Sequence, residues 1–139
     1  MKLRDVMASP VIRIHPDETV AVARQLGARV YHFDWCDDFA AARNFALSKV
    51  SGNWLILLDA DEYFADGSGR NLRRIFAAVP VEYDGLWIEK TSYDSDTHKN
   101  LGSFWDLRCV RNLPGLRYYG RIHEVLCTQA GKALKKIRI

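Results

Sequence analysis

The chain has 139 residues, 48% hydrophobic and 27% charged, with 20 basic against 17 acidic side chains for a formal net charge of +3. That is the size of one ordinary domain with a single core, and the excess charge is too small for a nucleic-acid surface, with no basic stripe interleaved with aromatics. Three widely spaced cysteines, Cys36, Cys109 and Cys127, support neither a disulfide framework nor a zinc site and read as thiols of a reducing compartment.

No apolar run approaches the ~18 residues of a membrane span, and Met1 to Met7 lacks the apolar stretch of a signal peptide. The expectation is a cytoplasmic protein, with membrane association through a segment outside this sequence left open. In chain order, Val11 to Ile14 alternates like a short strand. Asp17 to Leu26 carries a weak helical stripe that Gly27 ends, and Ala28 to Phe33 alternates again as a strand. Asp37 or Asp38 is placed to cap a helix over Phe39 to Val50 by accepting the free amide hydrogens of its first turn.

Trp54 to Leu58 is continuously apolar, the pattern of a strand covered on both faces as in a parallel sheet. A Gly-containing loop and a helix over Asn71 to Ala78 follow. Gly85 to Glu89, Trp105 to Val110 and Leu116 to Tyr119 then read as strands. The alternation of strands and helices predicts an α/β fold.

Asp59, Asp61 and Glu62 stand at the carboxyl end of the apolar strand, where open α/β sheets place their ligand crevice. Asp59 and Asp61, two apart, can converge on one ligand. Hard oxygen donors there suit Mg²⁺ or Mn²⁺ on a diphosphate. Asp-x-Asp is common, so its meaning depends on the surrounding segments. Of the tryptophans, Trp54 reads as core, and Trp105 is the one to consider for stacking against an acceptor. His15, His32 and His98 have no partners at metal-ligand spacing.

Trp35-Cys-Asp-Asp-Phe39, Ala42-Arg-Asn44, Gly52-Asn-Trp54, Leu58-Asp-Ala-Asp-Glu62, Arg108-Cys-Val-Arg-Asn112 and Tyr119-Gly-Arg-Ile-His-Glu124 occur in that order. Together they resemble family 2 glycosyltransferases, over about Asp17 to Leu126. The resemblance implies a GT-A fold, a mixed sheet flanked by helices, and transfer of a sugar from a nucleotide-sugar donor, UDP-sugar above others. The acceptor would be a hydroxyl of a glycan, lipid-linked or protein molecule, as in bacterial cell-surface glycan synthesis, with inversion at the anomeric carbon. It further implies that Asp61 binds the metal and that Asp59 contacts ribose or metal. Arg43 would approach the diphosphate, although on its own it reads as a helix-surface arginine. Glu124 is a candidate base for the acceptor hydroxyl, and His123 a candidate to complete the metal shell or bind phosphate. A structural histidine paired with its neighbour is the alternative for that dipeptide.

The first residues depart from the family, whose usual opening strand cradles the base. Residues 1–16 form an atypical segment ahead of a partial glycosyltransferase domain at 17–139. Met1 to Ala23 resembles the start of a cystathionine-β-synthase-type (CBS) regulatory domain, which makes an adenine-nucleotide-binding module the alternative function and a non-catalytic interaction domain a third. A sheet without its first strand leaves an edge to be covered or paired with a second copy. The expectation is weak donor binding, or none, by the isolated chain.

Overall fold

The computed structural model describes residues 20–25, 27–59, 62–65, 68–128 and 132–139. The strand expected at Val11 to Ile14 and the metal ligand expected at Asp61 lie outside the described residues. Within them, helix α1 (Val20–Gln25) is followed by α2 (Phe39–Leu47), strand β1 (Trp54–Ile56), α3 (Ser68–Ala78), β2 (Gly85–Tyr93), β3 (Asn100–Arg111), β4 (Arg117–Tyr119), β5 (Val125–Cys127) and β6 (Lys136–Arg138). The main sheet runs β1-β3-β2-β6, and β4 and β5 form a separate antiparallel pair. No described helix is long and apolar enough to cross a membrane.

Local chemistry sets the helix boundaries. Gly27, at φ 89°, follows α1 and returns its amide to the Arg24 carbonyl at 2.9 Å. Only glycine adopts that backbone without strain. Asp38 is the residue that caps α2, its carboxylate accepting from the Ala41 amide at 2.9 Å. Asp37 instead accepts the Trp35 indole N–H at 2.9 Å. The α2 helix stops at Leu47, earlier than its apolar stripe suggested, because Ser48 turns the chain and bonds the Phe45 carbonyl through its hydroxyl.

Strand β1 has both faces covered, as its apolar run implied. Leu55 and Leu57 pack into a cluster with Ala40, Val110, Tyr118, Leu126 and Leu134 on the α2 side. Trp54 and Ile56 pack with Leu72, Leu86 and Cys109 on the α3 side. The expected parallel neighbour is corrected. β1 pairs antiparallel with β3, Leu55 opposite Val110, and its other edge pairs with no described strand. The parallel pairing in the sheet is that of β2 with β6.

The expected strand at Ala28 to Phe33 is also corrected, since this stretch joins no sheet. It packs through its aromatics on α2 instead, with Phe33 and Phe45 ring centroids 5.3 Å apart and Tyr31 meeting Phe45 edge-on at 6.4 Å. Between it and β1 lies an open cleft of about 1040 Å³, floored by β1 and walled by α2 and α3. An alternating sequence becomes a strand only where a ladder partner satisfies its backbone, and no described strand supplies one here.

Strands β2 and β3 run further than their apolar residues indicated. Their pairing extends from Gly85 opposite Val110 to Tyr93 opposite Asn100, with an irregularity at Leu86/Trp87. The turn is closed by Asp94, whose carboxylate accepts from the Thr97 amide and hydroxyl at 2.8 and 2.7 Å. Gly85 permits the closest approach, because a Cβ there would lie 2.8 Å from the Leu107 side chain and 3.2 Å from the Cys109 carbonyl oxygen.

Candidate active site

The helix α2 is clamped to β4 by one residue of the Ala42-Arg-Asn44 segment. The Asn44 side-chain amide donates to the Tyr118 carbonyl at 2.9 Å, and its oxygen accepts the Tyr118 amide at 2.8 Å. The Phe39 amide donates to the Arg121 carbonyl at 3.0 Å. These bonds fix the preceding residue of the helix, Arg43, over the Tyr118 ring at 5.5 Å.

From there Arg43 joins two candidates that are far apart in sequence. Its Nε donates to Glu124 at 2.5 Å, and its Nη2 lies 3.4 Å from Asp59. Glu124 is held in the segment after β4, with a side chain 13% exposed. Burial alone would lower the Arg43 pKa, but the hydrogen bond to Glu124 and the nearby Tyr118 and Asp59 raise it above the ordinary guanidinium value.

The acidic turn is held from both ends. The Glu62 amide donates to the Asp59 carbonyl at 3.0 Å, and the Asp59 amide returns a bond to the Glu62 carboxylate at 3.1 Å. Glu62 also accepts from Arg108 Nη2 at 2.5 Å and from Lys90, with only 7% of its side chain exposed. Burial pushes its carboxyl up, yet the bonds from Lys90 and Arg108 and from the Asp59 amide outweigh this and hold it below the usual range. Glu62 is therefore an anchor, with its oxygens engaged. The Asp59 carboxylate is 43% exposed, and both its guanidinium contacts, with Arg43 and Arg108, are long at 3.4 Å.

Arg108 completes the cluster by also meeting Asp106 at 3.0 Å. Burial would lower its pKa, but Glu62 and Asp106 raise it. Its Nε is buried with no hydrogen-bond partner among the described residues. Sequence reasoning missed Arg108 and Lys90 as members of the site. Arg108 stood in a quoted segment, but its reach to Asp59 and Glu62 follows from the pairing of β3 with β1, which composition does not carry.

The structure thus brings Arg43, Asp59 and Glu124 together. His123 is exposed, in left-handed backbone at φ 56°, and no hydrogen bond or ion pair joins its side chain to a described residue. Among the described residues no three His, Cys, Asp or Glu side chains converge as a metal site. Trp105 is half-buried, with the Arg138 guanidinium 5.4 Å from its ring and 5.8 Å from that of Trp87.

The arrangement defines a class: an α/β sheet with a carboxylate at a strand end, flanked by two guanidinium groups suited to a phosphorylated ligand. The description "Glycosyl transferase family 2" matches residues 15–125. The chain belongs to glycosyl transferase family 2, a family of transferases with the mixed α/β architecture seen here. A TPR repeat-containing protein of Synechococcus elongatus is 33% identical over 110 residues, 79% of this chain and 26% of that protein. An uncharacterized glycosyltransferase of Rickettsia felis is 36% identical over 62 residues, 45% of this chain and 22% of that protein. The chain thus matches about a quarter of the length of these curated relatives. The family match does not favour a CBS-type adenine-nucleotide module.

Proposed function

We propose that the chain carries the donor-binding side of an inverting, metal-dependent transferase that takes a UDP-sugar and glycosylates a hydroxyl of a glycan, lipid-linked or protein acceptor. The carrying observation is the convergence of Arg43, Asp59 and Glu124, with Arg43 and Glu124 81 positions apart in sequence. In this reading Arg43 exchanges Glu124 for the donor's diphosphate, a fork matched to phosphate oxygens. Glu124, released from its guanidinium, then takes the proton of the acceptor hydroxyl. Arg108, whose buried Nε makes no hydrogen bond among the described residues, supports the same anion.

The donor set suits a hard divalent cation. Asp59 is half-exposed, and its long contacts leave lone pairs for Mg²⁺ or Mn²⁺. Asp61 and His123 are the proposed companion ligands. When bound, the cation would offset charge on the leaving nucleoside diphosphate. The outer edge of β1, which pairs with no described strand, makes self-association through that edge part of the proposal, and a cytoplasmic location fits the exposed Cys36 thiol.

Isothermal titration of UDP-glucose, UDP-galactose and UDP-N-acetylglucosamine with Mn²⁺ tests the reading. The expected outcome is weak, millimolar binding that needs the metal and disappears in Asp59→Asn and Asp61→Ala. Micromolar binding without metal would overturn it. So would ATP or AMP binding that persists in Asp61→Ala while UDP-sugars fail.

A further inference from the structure

Strand pairing sorts the β2–β3 hairpin into two faces. Trp105 lies opposite Glu89, on the face where Trp87 lies opposite Leu107. Phe104 lies opposite Lys90, and Asp106 opposite Ile88, on the other face. On that second face Lys90 bonds Glu62, and Asp106 pairs with Arg108. Asp59, Glu62 and Phe104 therefore belong to one continuous surface, reached through Lys90 and Arg108.

Phe104 is 48% exposed, with the Lys90 ammonium 5.5 Å from its ring centroid. An ammonium anchored by a carboxylate helps to fix the ring in place. Asp106 stands two residues along the same strand, about 7 Å away by strand geometry, with a carboxylate 37% exposed. Arg43, Lys90 and Arg108 stand against Asp59, Glu62, Asp106 and Glu124, an excess of carboxylate that does not favour an anionic ligand. A half-exposed aromatic ring beside a carboxylate that accepts from the Leu107 amide at 2.8 Å and from Arg108, and keeps its other lone pairs, suits a polyol with an apolar C–H face. A pyranose ring has that chemistry.

We infer that Phe104 and Asp106 form a pyranose subsite, with the sugar's C–H face on the Phe104 ring and a hydroxyl donating to Asp106. Because Arg43 and Asp59 occupy the diphosphate end, the ring bound here belongs to the acceptor glycan, one or more sugars from the reacting hydroxyl. This assignment to the acceptor rests on the transferase reading; the subsite itself does not. Binding energy gathered away from the reacting atoms is a means of orienting a substrate.

The test is a titration of protein carrying ¹³C-labelled phenylalanine rings with methyl glycosides of glucose, galactose, mannose and N-acetylglucosamine. The Phe104 ring signals, assigned by their loss in Phe104→Leu, are expected to shift and saturate at millimolar concentration for at least one glycoside. Phe104→Ala, read by saturation-transfer difference on the glycoside, should weaken binding about tenfold, and Phe104→Trp should retain it. Asp106→Asn should weaken binding about threefold to tenfold, as loss of one charge-assisted hydrogen bond does. Asp59→Asn should leave glycoside binding unchanged while removing UDP-sugar binding. Glycoside binding without any UDP-sugar binding by the unaltered chain keeps the subsite and overturns the proposed donor site. No Phe104 shift with any glycoside, or equal binding by Phe104→Ala, overturns the subsite whatever the UDP-sugar titration gives.

Discussion

β3 divides the molecule into two regions that differ in how completely they are paired. On its β2 side the ladder is long, and Leu86, Cys109 and Val110 are fully buried between the strands and the helices that cover them. On its β1 side the ladder ends after three residues, and Tyr31, Val50 and Leu58 around the cleft remain 48%, 41% and 40% exposed. Both regions are rich in apolar side chains. What separates them is whether backbone partners exist on each edge: apolar residues can close a core only where the backbone between them is also satisfied.

Core truncation gives the largest expected contrast. Leu86→Ala should cost about 3 kcal/mol, as loss of a fully buried leucine does. Tyr31→Ala, at the cleft, should cost about 0.5 kcal/mol because its ring already meets water. Urea unfolding of both variants measures the difference; equal losses would mean that the cleft is filled in solution.

Features set by short-range contacts were the more legible in the sequence, and the reason is physical. Asp38 and Gly27 act through contacts within a few residues, so their roles could be read directly. The strand expected at Ala28 to Phe33 depended on a distant partner and did not form. The polar extension of β2 and β3 beyond Glu89 was missed because its stability comes from cross-strand pairs such as Thr91 with Ser103, whose hydroxyls meet at 2.9 Å, rather than from a buried face. The site divides in the same way. Arg43, Asp59 and Glu124 were named from ordered motifs, whereas Lys90 and Arg108 enter through sheet register.

The second contrast concerns acid. Glu62 is held below its usual pKa in the folded chain, so the unfolded chain binds the extra proton as pH falls through the ordinary glutamate value of about 4.3. Its contribution to stability is therefore complete above that value and is lost as pH drops toward the depressed folded one. Glu62→Gln should lower stability at neutral pH by about 1–2 kcal/mol, less than a fully buried pair because Lys90 is partly exposed. It should also flatten the acid limb of Tm against pH. An acid limb identical to that of the unaltered chain would show that Glu62 is not the titrating anchor.

The smallest contrast changes no stability. The Leu57 amide donates to the Arg108 carbonyl at 2.8 Å, so the alternating Ile56 amide points to the edge of β1 that no described strand pairs. In hydrogen exchange Ile56 should exchange on the order of a hundredfold faster than Leu57. Equal protection would reveal a strand, or a second copy of the chain, seated along that edge.

The contact between Arg43 and Glu124 also has a consequence in time. At ~5–20 residues per second of synthesis, the 81 positions between them mean that a nascent Arg43 waits roughly 4–16 s before its carboxylate is made. The Asn44 clamp waits almost as long for Tyr118, 74 positions on. For that interval α2 has an apolar face and no β4 to cover it. The order in which the ribosome delivers the chain thus makes this helix the segment most in need of a chaperone.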